Sequence, residues 1–470
     1  MNWTPPLMRW RWLEVESALL AVTLAALMMP LKLELGAVGV AAFMGPLFAL
    51  VMMGVARVGW RQIGRSLARW EWVLLAFGLW VALGAALRPN SDRAAVMMLL
   101  GALPLAIYVR RAWGTTVNST FLTRFMIAAA AVQVSVCALQ LATFSSIGNV
   151  QAYFGKTEST EALLVQGGRL LRLVGTLGMT NAVGTWLAMS SAFVFAEMAH
   201  PARSRGQSLG RQMGLLGLWV GGAAATLIAV SRANIAALFT VPMVLVGLWW
   251  MRGQTRPRGV VGTASVRRWA LGALLLAVVL LLPWEQSATV QRFLEGADQR
   301  WSDTERALAP RMRLAAETAS VVQARPLLGA GFGRTGITWR GLNGDRAEAR
   351  RLRPHNLWLL IAADCGLPAV MLLALVFALP IVPAVWAPGR MGWEATVLVA
   401  ALTAYLWASM FYFHPITPAM WPLALVLLAA LDAVVNEARV SAGAGSIPRA
   451  ISGALPGAFP GALPGAGAGA

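Results

Sequence analysis

Apolar runs of about 17–25 residues recur along the chain, each long enough to cross a hydrocarbon core roughly 30 Å thick. They fall at approximately 17–31, 35–56, 70–87, 94–109, 121–143, 176–197, 212–230, 234–251, 268–284, 366–387, 393–411 and 418–436. The expected fold is all-α: a polytopic integral membrane protein of about 12 transmembrane helices. Residues 1–16 form a short N-terminus and 17–284 carry helices 1–9. One long polar loop, 285–355, separates helices 9 and 10. Residues 356–436 re-enter the membrane and complete helices 10–12, and 437–470 form a tail. From about Ser441 that tail is Gly, Ala, Pro and Ser with little else, a composition that cannot build a core and is expected to be disordered.

Composition agrees with the pattern. The chain is 58% hydrophobic and 13% charged, against about 25% charged in soluble domains. Its net charge of +19 does not point to nucleic acid, because basic residues collect on the cytoplasmic side of membrane proteins and set their topology. With the N-terminus inside, the inner connections hold Arg57, Arg61, Arg65 and Arg69; Arg110, Arg111 and Arg124; Arg203, Arg205 and Arg211; and then Arg252, Arg256, Arg258, Arg267 and Arg268. The first two outer gaps hold only Lys32, then Arg88 and Arg93. An odd error in the span count would scramble this alternation. Both termini are therefore expected in the cytoplasm, with no cleaved leader. Cys137 and Cys365 sit in apolar surroundings without metal-ligand spacing and read as small buried hydrophobes.

The polar interval stands apart. It holds 12 of the 39 basic residues and 8 of the 20 acidic ones, and its length exempts it from the charge rule, so its arginines are free for another role. Within it, residues 304–324 repeat Leu308, Met312, Ala315, Ala319 and Val322 at helical spacing and predict an amphipathic helix at the outer surface. Pro326 stops that helix. Gly329, Gly331 and Gly333 then predict a tight turn whose backbone N–H groups could point at an anion.

His355 follows this region, beside Asn356, at the mouth of an apolar segment. A neutral imidazole there can take a proton from a hydroxyl nucleophile, while the plain alternative is an interfacial His that holds the loop. Arg172 stands just before a span, and Arg232 lies between two spans separated by almost nothing. An Arg at membrane depth is costly unless paired or wet, and its fork suits phosphate oxygens; snorkelling to headgroups is the alternative. Arg311 and Arg325 are weaker candidates of the same kind. Asp364 is a lone acid in an apolar stretch, open to pairing with an Arg or to an interfacial place. No Walker motif and no metal-ligand spacing occurs in the sequence.

Several of these segments resemble the O-antigen ligase and polymerase family of bacterial envelope proteins. An Arg-x-x-Gly-x-x-x-Asn-like segment opening a span reads here as Arg172-Leu173-Val174-Gly175 through Asn181, with the family's Gly-Asn-Pro-Asn replaced by Gly178-Met179-Thr180-Asn181. Ser231-Arg232 occupies the next outer turn. Arg311, the helix after it and Pro326-Leu327-Leu328-Gly329-Ala330-Gly331 follow, and His355-Asn356-Leu357-Trp358-Leu359 precedes Gly366. The resemblance covers about residues 170–380. It implies a metal-independent, cofactor-free glycosyltransferase of the bacterial inner membrane with a periplasmic active site. Its donor would be an undecaprenyl diphosphate-linked glycan, and its acceptor lipid A–core or a second lipid-linked glycan. His355, Arg232 and Arg172 would be catalytic; Arg172, Arg232, Arg311 and Arg325 would bind the diphosphate; Asn356, Asn181, Gly329 and Gly331 would support them. Ligation is the favoured reading and polymerisation its neighbour. A secondary transporter of envelope precursors is the alternative of another class, disfavoured by two unlike halves of the chain.

Overall fold

The computed structural model describes residues 6–27, 32–35, 38–41, 49, 52–53, 67–88, 91–143, 173, 175–177, 180–199, 207–228, 232–253, 304–335, 354–386, 392–411 and 420–444. The predicted span at 268–284 and most of the one at 35–56 lie outside these residues. The helices are α1 (Pro6–Leu27), α2 (Arg69–Leu87), α3 (Arg93–Gly101), α4 (Leu103–Ala112), α5 (Ser119–Thr143), α6 (Thr180–Ala199), α7 (Leu209–Ile228), α8 (Arg232–Gly253), α9 (Thr304–Ala324), α10 (Leu357–Cys365), α11 (Leu367–Trp386), α12 (Trp393–Phe411) and α13 (Met420–Ala444). Five are long and apolar enough to cross a membrane by length and composition, in α2, α5, α6, α11 and α12.

The architecture is helical, as the pattern predicts, with two departures inside the expected spans. Residues expected to open the second span form an antiparallel hairpin instead, Lys32–Leu35 against Val38–Ala41. Gly36, Gly39 and the alternating Val38 and Val40 explain it, since glycine weakens a helix and β-branched residues favour a strand. The expected span 94–109 is two helices, α3 and α4, with Pro104 in the first turn of α4. A proline there has no N–H to give the preceding turn, and its ring crowds that turn's carbonyl. At the other end of the chain α13 runs on to Ala444, past the expected start of the tail.

Two helices form the centre. Every residue of α6 from Ala182 to Glu197 and of α13 from Met420 to Leu431 is buried, as expected for helices apolar on all sides. Small residues let neighbours approach closely: a Cβ on Gly184 would lie 2.4 Å from Asn234 Nδ2, and one on Gly221 would lie 2.8 Å from Val134. By contrast α11 turns Leu367, Met371, Leu375, Val382 and Trp386 outward at helical spacing. A continuous apolar stripe on an outer face suits lipid rather than water.

Contacts between distant segments test the predicted alternation. Glu71, at the start of α2, joins Arg110 and Arg111 near the end of α4, and Arg110 also binds Asp432 of α13. Arg211 binds Glu197, and Tyr108 and Thr116 reach Glu16. All of these ends were expected inside. At the opposite ends, Gln133 binds Thr176, Asn234 binds the Asn181 carbonyl, Asp92 N donates to Phe332 O, and Asn356 binds Met410 O. All of those were expected at outer ends except Gln133, which lies midway along its expected span. No contact named here joins an expected inner end to an expected outer one.

Candidate functional site

These contacts hold the predicted residues in two groups, one at Gly175–Asn181 and Asn234 and the other at the glycine turn, Asp364 and Asn356. Gly175–Leu177 forms a 3-10 turn held by α5, where Gln133 and Gln140 lie two turns apart on one face, fully buried. Gln133 donates to Thr176 Oγ and accepts from its N–H at 3.1 Å, while Gln140 makes the same reciprocal pair with the Gly175 backbone, both bonds 3.1 Å. Gly175 has φ +55, and a Cβ there would stand 2.3 Å from Gln133 Oε1. The clamp fixes the chain just after Arg172, which itself lies outside the described residues.

Asn181 contributes through its backbone. Its carbonyl accepts from Asn234 Nδ2 at 2.9 Å, and the single hydroxyl proton of Thr185 is shared between that carbonyl (2.8 Å) and Asn234 Oδ1 (2.9 Å). Asn234 is fully buried two residues beyond Arg232. The start of α8, which Arg232 opens, is thereby tied to the start of α6; the Arg232 side chain lies outside the described residues.

His355 sits half-buried between buried Pro354 and Asn356. Asn356 caps α10, accepting from Leu359 N at 2.9 Å, and its amide donates to Met410 O at 3.0 Å. One side chain thus ties the residue after His355 to both α10 and α12.

The glycine turn differs from its expected role. Its N–H groups point into the protein: Gly329 N to Arg325 O, Ala330 N to Ala363 O, Gly331 N to Asp364 O and Arg334 N to Gly331 O. Gly333 N (3.0 Å) and Thr335 N (3.2 Å) donate to the Asp364 carboxylate, as does the Thr335 hydroxyl. The anion this turn holds is the protein's own Asp364, buried to 3% exposure. Asp364 therefore needs no interfacial place, and its acceptors are met by backbone N–H groups and a hydroxyl. The glycines are required sterically: Gly329 (φ +64) and Gly331 (φ +102) press on the Asp364 backbone and on Ser91 and Arg88.

Helix α9 matches its predicted span but is rotated. Its packed face is Leu314, Thr318, Val321 and Val322 against Ala330 and Ala363, whereas Met312 is 65% exposed. Arg311 is exposed and Arg325 half-buried. Arg313 pairs with Glu317 one turn on. Among the described residues no three His, Cys, Asp or Glu side chains cluster closely enough to hold a metal ion.

Residues 216–374 match the family model described as O-antigen ligase. A domain of that family is thus present, running from within α7 into α11, and no curated protein matches the chain. The domain contains Arg232, Arg311, Arg325, the glycine turn, His355 and Asn356. Arg172 and Asn181 precede it and connect to it through the Asn234–Asn181 bond. The match thus lies within a chain that carries helices long and apolar enough to cross a membrane. The residues that position this end but were not singled out in the sequence are Gln133, Gln140 and Asn234. Their signal was amide side chains inside apolar spans, where each must find a partner.

Proposed function

We propose that the protein transfers a glycan from undecaprenyl diphosphate to an acceptor hydroxyl at the periplasmic face, ligating O-antigen to lipid A–core. The observation that carries this reading is that His355 and the α8 start bearing Arg232 fall inside the O-antigen ligase match. Their ends are braced by Asn356 and Asn234. The acceptor oxygen attacks the anomeric carbon, the bond to the diphosphate oxygen breaks, and that oxygen keeps the electron pair. The hydroxyl proton passes to the His355 imidazole. Arg172 and Arg232, with Arg311 and Arg325 beside them, stabilise the charge growing on the diphosphate.

The test is transfer by purified protein in detergent from an undecaprenyl diphosphate-linked oligosaccharide, with and without lipid A–core. His355→Ala and Arg232→Ala run alongside. Product only with lipid A–core, abolished in both variants, is the expected result. A ladder of longer lipid-linked glycans without that acceptor would make the enzyme a polymerase. Transfer undiminished in both variants would overturn the site.

A further inference from the structure

A second basic cluster lies across the glycine turn from Asp364. The turn at Arg88–Ser91, closed by Ser91 N donating to Arg88 O at 2.9 Å, packs directly on Gly331. A Cβ on Gly331 would stand 2.7 Å from Ser91 Oγ and 3.0 Å from Arg88 Cβ. Arg334 is anchored to the same glycine through its N–H, 3.0 Å from Gly331 O. Asp92 N, bonded to Phe332 O at 2.9 Å, fastens the two turns together.

These three side chains share one feature. Nε of Arg88, Nε of Arg334 and Oγ of Ser91 are all buried without a hydrogen-bond partner, and Ser91 is only 6% exposed. None of the ion pairs among the described residues involves Arg88 or Arg334. Arg110 and Arg111, half-buried like Arg88 and Arg334, do have carboxylate partners, although Nε of Arg111 is also unmatched. Leaving two guanidinium N–H groups and a hydroxyl unmatched away from water is costly, and the three residues flank one glycine, so an oxyanion that accepts from all three would account for them. Neither arginine belongs to the set assigned to the diphosphate above.

We propose that Arg88, Ser91 and Arg334 form a second oxyanion site, built on Gly331, that takes one phosphate group of a membrane-borne molecule. Its position at the end of α2, an apolar helix long enough to cross the membrane, places it where a phosphate on a lipid anchor arrives. The same chemistry is offered by a polyprenyl phosphate and by a phospholipid headgroup. Binding does not depend on glycan transfer, and so the site stands or falls separately from the reading above.

The test uses the full chain in detergent and native mass spectrometry, with undecaprenyl phosphate, phosphatidylglycerol and inorganic phosphate as separate probes. Arg88→Gln/Arg334→Gln is expected to weaken the preferred probe by about tenfold or more, as loss of charge-assisted hydrogen bonds requires. Arg211→Gln, at an exposed ion pair with Glu197 away from this turn, should leave this binding unchanged. Arg88→Lys, which keeps the charge but lacks the Nε–H, should fall between and guards against a misfolded double variant. Tighter binding of undecaprenyl phosphate than phosphatidylglycerol assigns the site to a polyprenyl substrate, and equal binding to both assigns it to the headgroup. Binding of all three probes unchanged in Arg88→Gln/Arg334→Gln would overturn the proposal.

Discussion

The buried carboxylate of Asp364 gives the sharpest stability prediction. Asp364→Ala strands three donors: the Gly333 N–H, the Thr335 N–H and the Thr335 hydroxyl. Gly333 is exposed and its N–H can turn to water, but Thr335 is only 4% exposed. At about 1–3 kcal/mol for each stranded buried donor, the two Thr335 groups alone cost about 2–6 kcal/mol. Relief from removing a buried charge offsets part of this, leaving an expected local destabilisation of about 3 kcal/mol. Thr335→Val removes one donor and should cost about 1–2 kcal/mol. In the Asp364→Ala background the same change should cost about 1 kcal/mol less, since its partner is already gone. Arg334 lies in the turn just before Thr335, so trypsin cleavage of the Arg334–Thr335 bond reports its opening, whereas Arg325 precedes Pro326 and is not cut. When opening is fast relative to cleavage, about 3 kcal/mol corresponds to roughly a hundredfold faster cutting in Asp364→Ala. Cleavage at the wild-type rate in Asp364→Ala, or strict additivity of the two changes, would refute the clamp.

Three further outcomes follow from the packing. Gly366→Ala would place a Cβ 1.8 Å from Leu327 O at φ +86 and should abolish folded protein on size-exclusion chromatography, whereas Gly210→Ala meets nothing within 4 Å and should be unaffected. Asn356→Ala removes the α10 cap and the link to Met410; a loss of about 0.5–2 kcal/mol in thermal unfolding is expected. Transfer should fall further than that loss accounts for, because the residue beside His355 loses its tether. Gln133→Leu leaves the buried Thr176 N–H without its acceptor and should lower the unfolding midpoint, by an amount equivalent to about 1–3 kcal/mol, with Gln133→Glu no rescue.

Much of the architecture was legible because it rests on local period. The α9 span at 304–324 and α12 at 393–411 were read from spacing and apolar length alone. The hairpin at Lys32–Ala41 was missed because a run of apolar residues reads alike as strand or helix when its length suits a span. The glycine turn was found, but its partner was not. A nest of N–H groups holds an external anion or an internal one with the same sequence, and Asp364 lies 31 residues from Gly333. The rotation of α9 had a similar cause: Met312 and Leu314 are both apolar, and only the position of Ala330 and Ala363 decides which is covered. Arg88 and Arg334 were counted toward topology and loop charge because nothing in linear spacing brings residues so far apart to one glycine.

The nine-residue helix α10 is fastened at both ends, by Asn356 to α12 and by Asp364 and Gly366 to the turn. Thr335, where the chain leaves that turn, is pinned to Asp364, and Pro354, where it returns, is buried. Residues 336–353 join these two stations, each of which is held by contacts of its own. Changes in the length of that stretch carry a small closure cost and leave the Asn356 and Asp364 anchors themselves intact. Under the proposed transfer, a stretch strung between two such anchors is where a descendant would acquire a new acceptor.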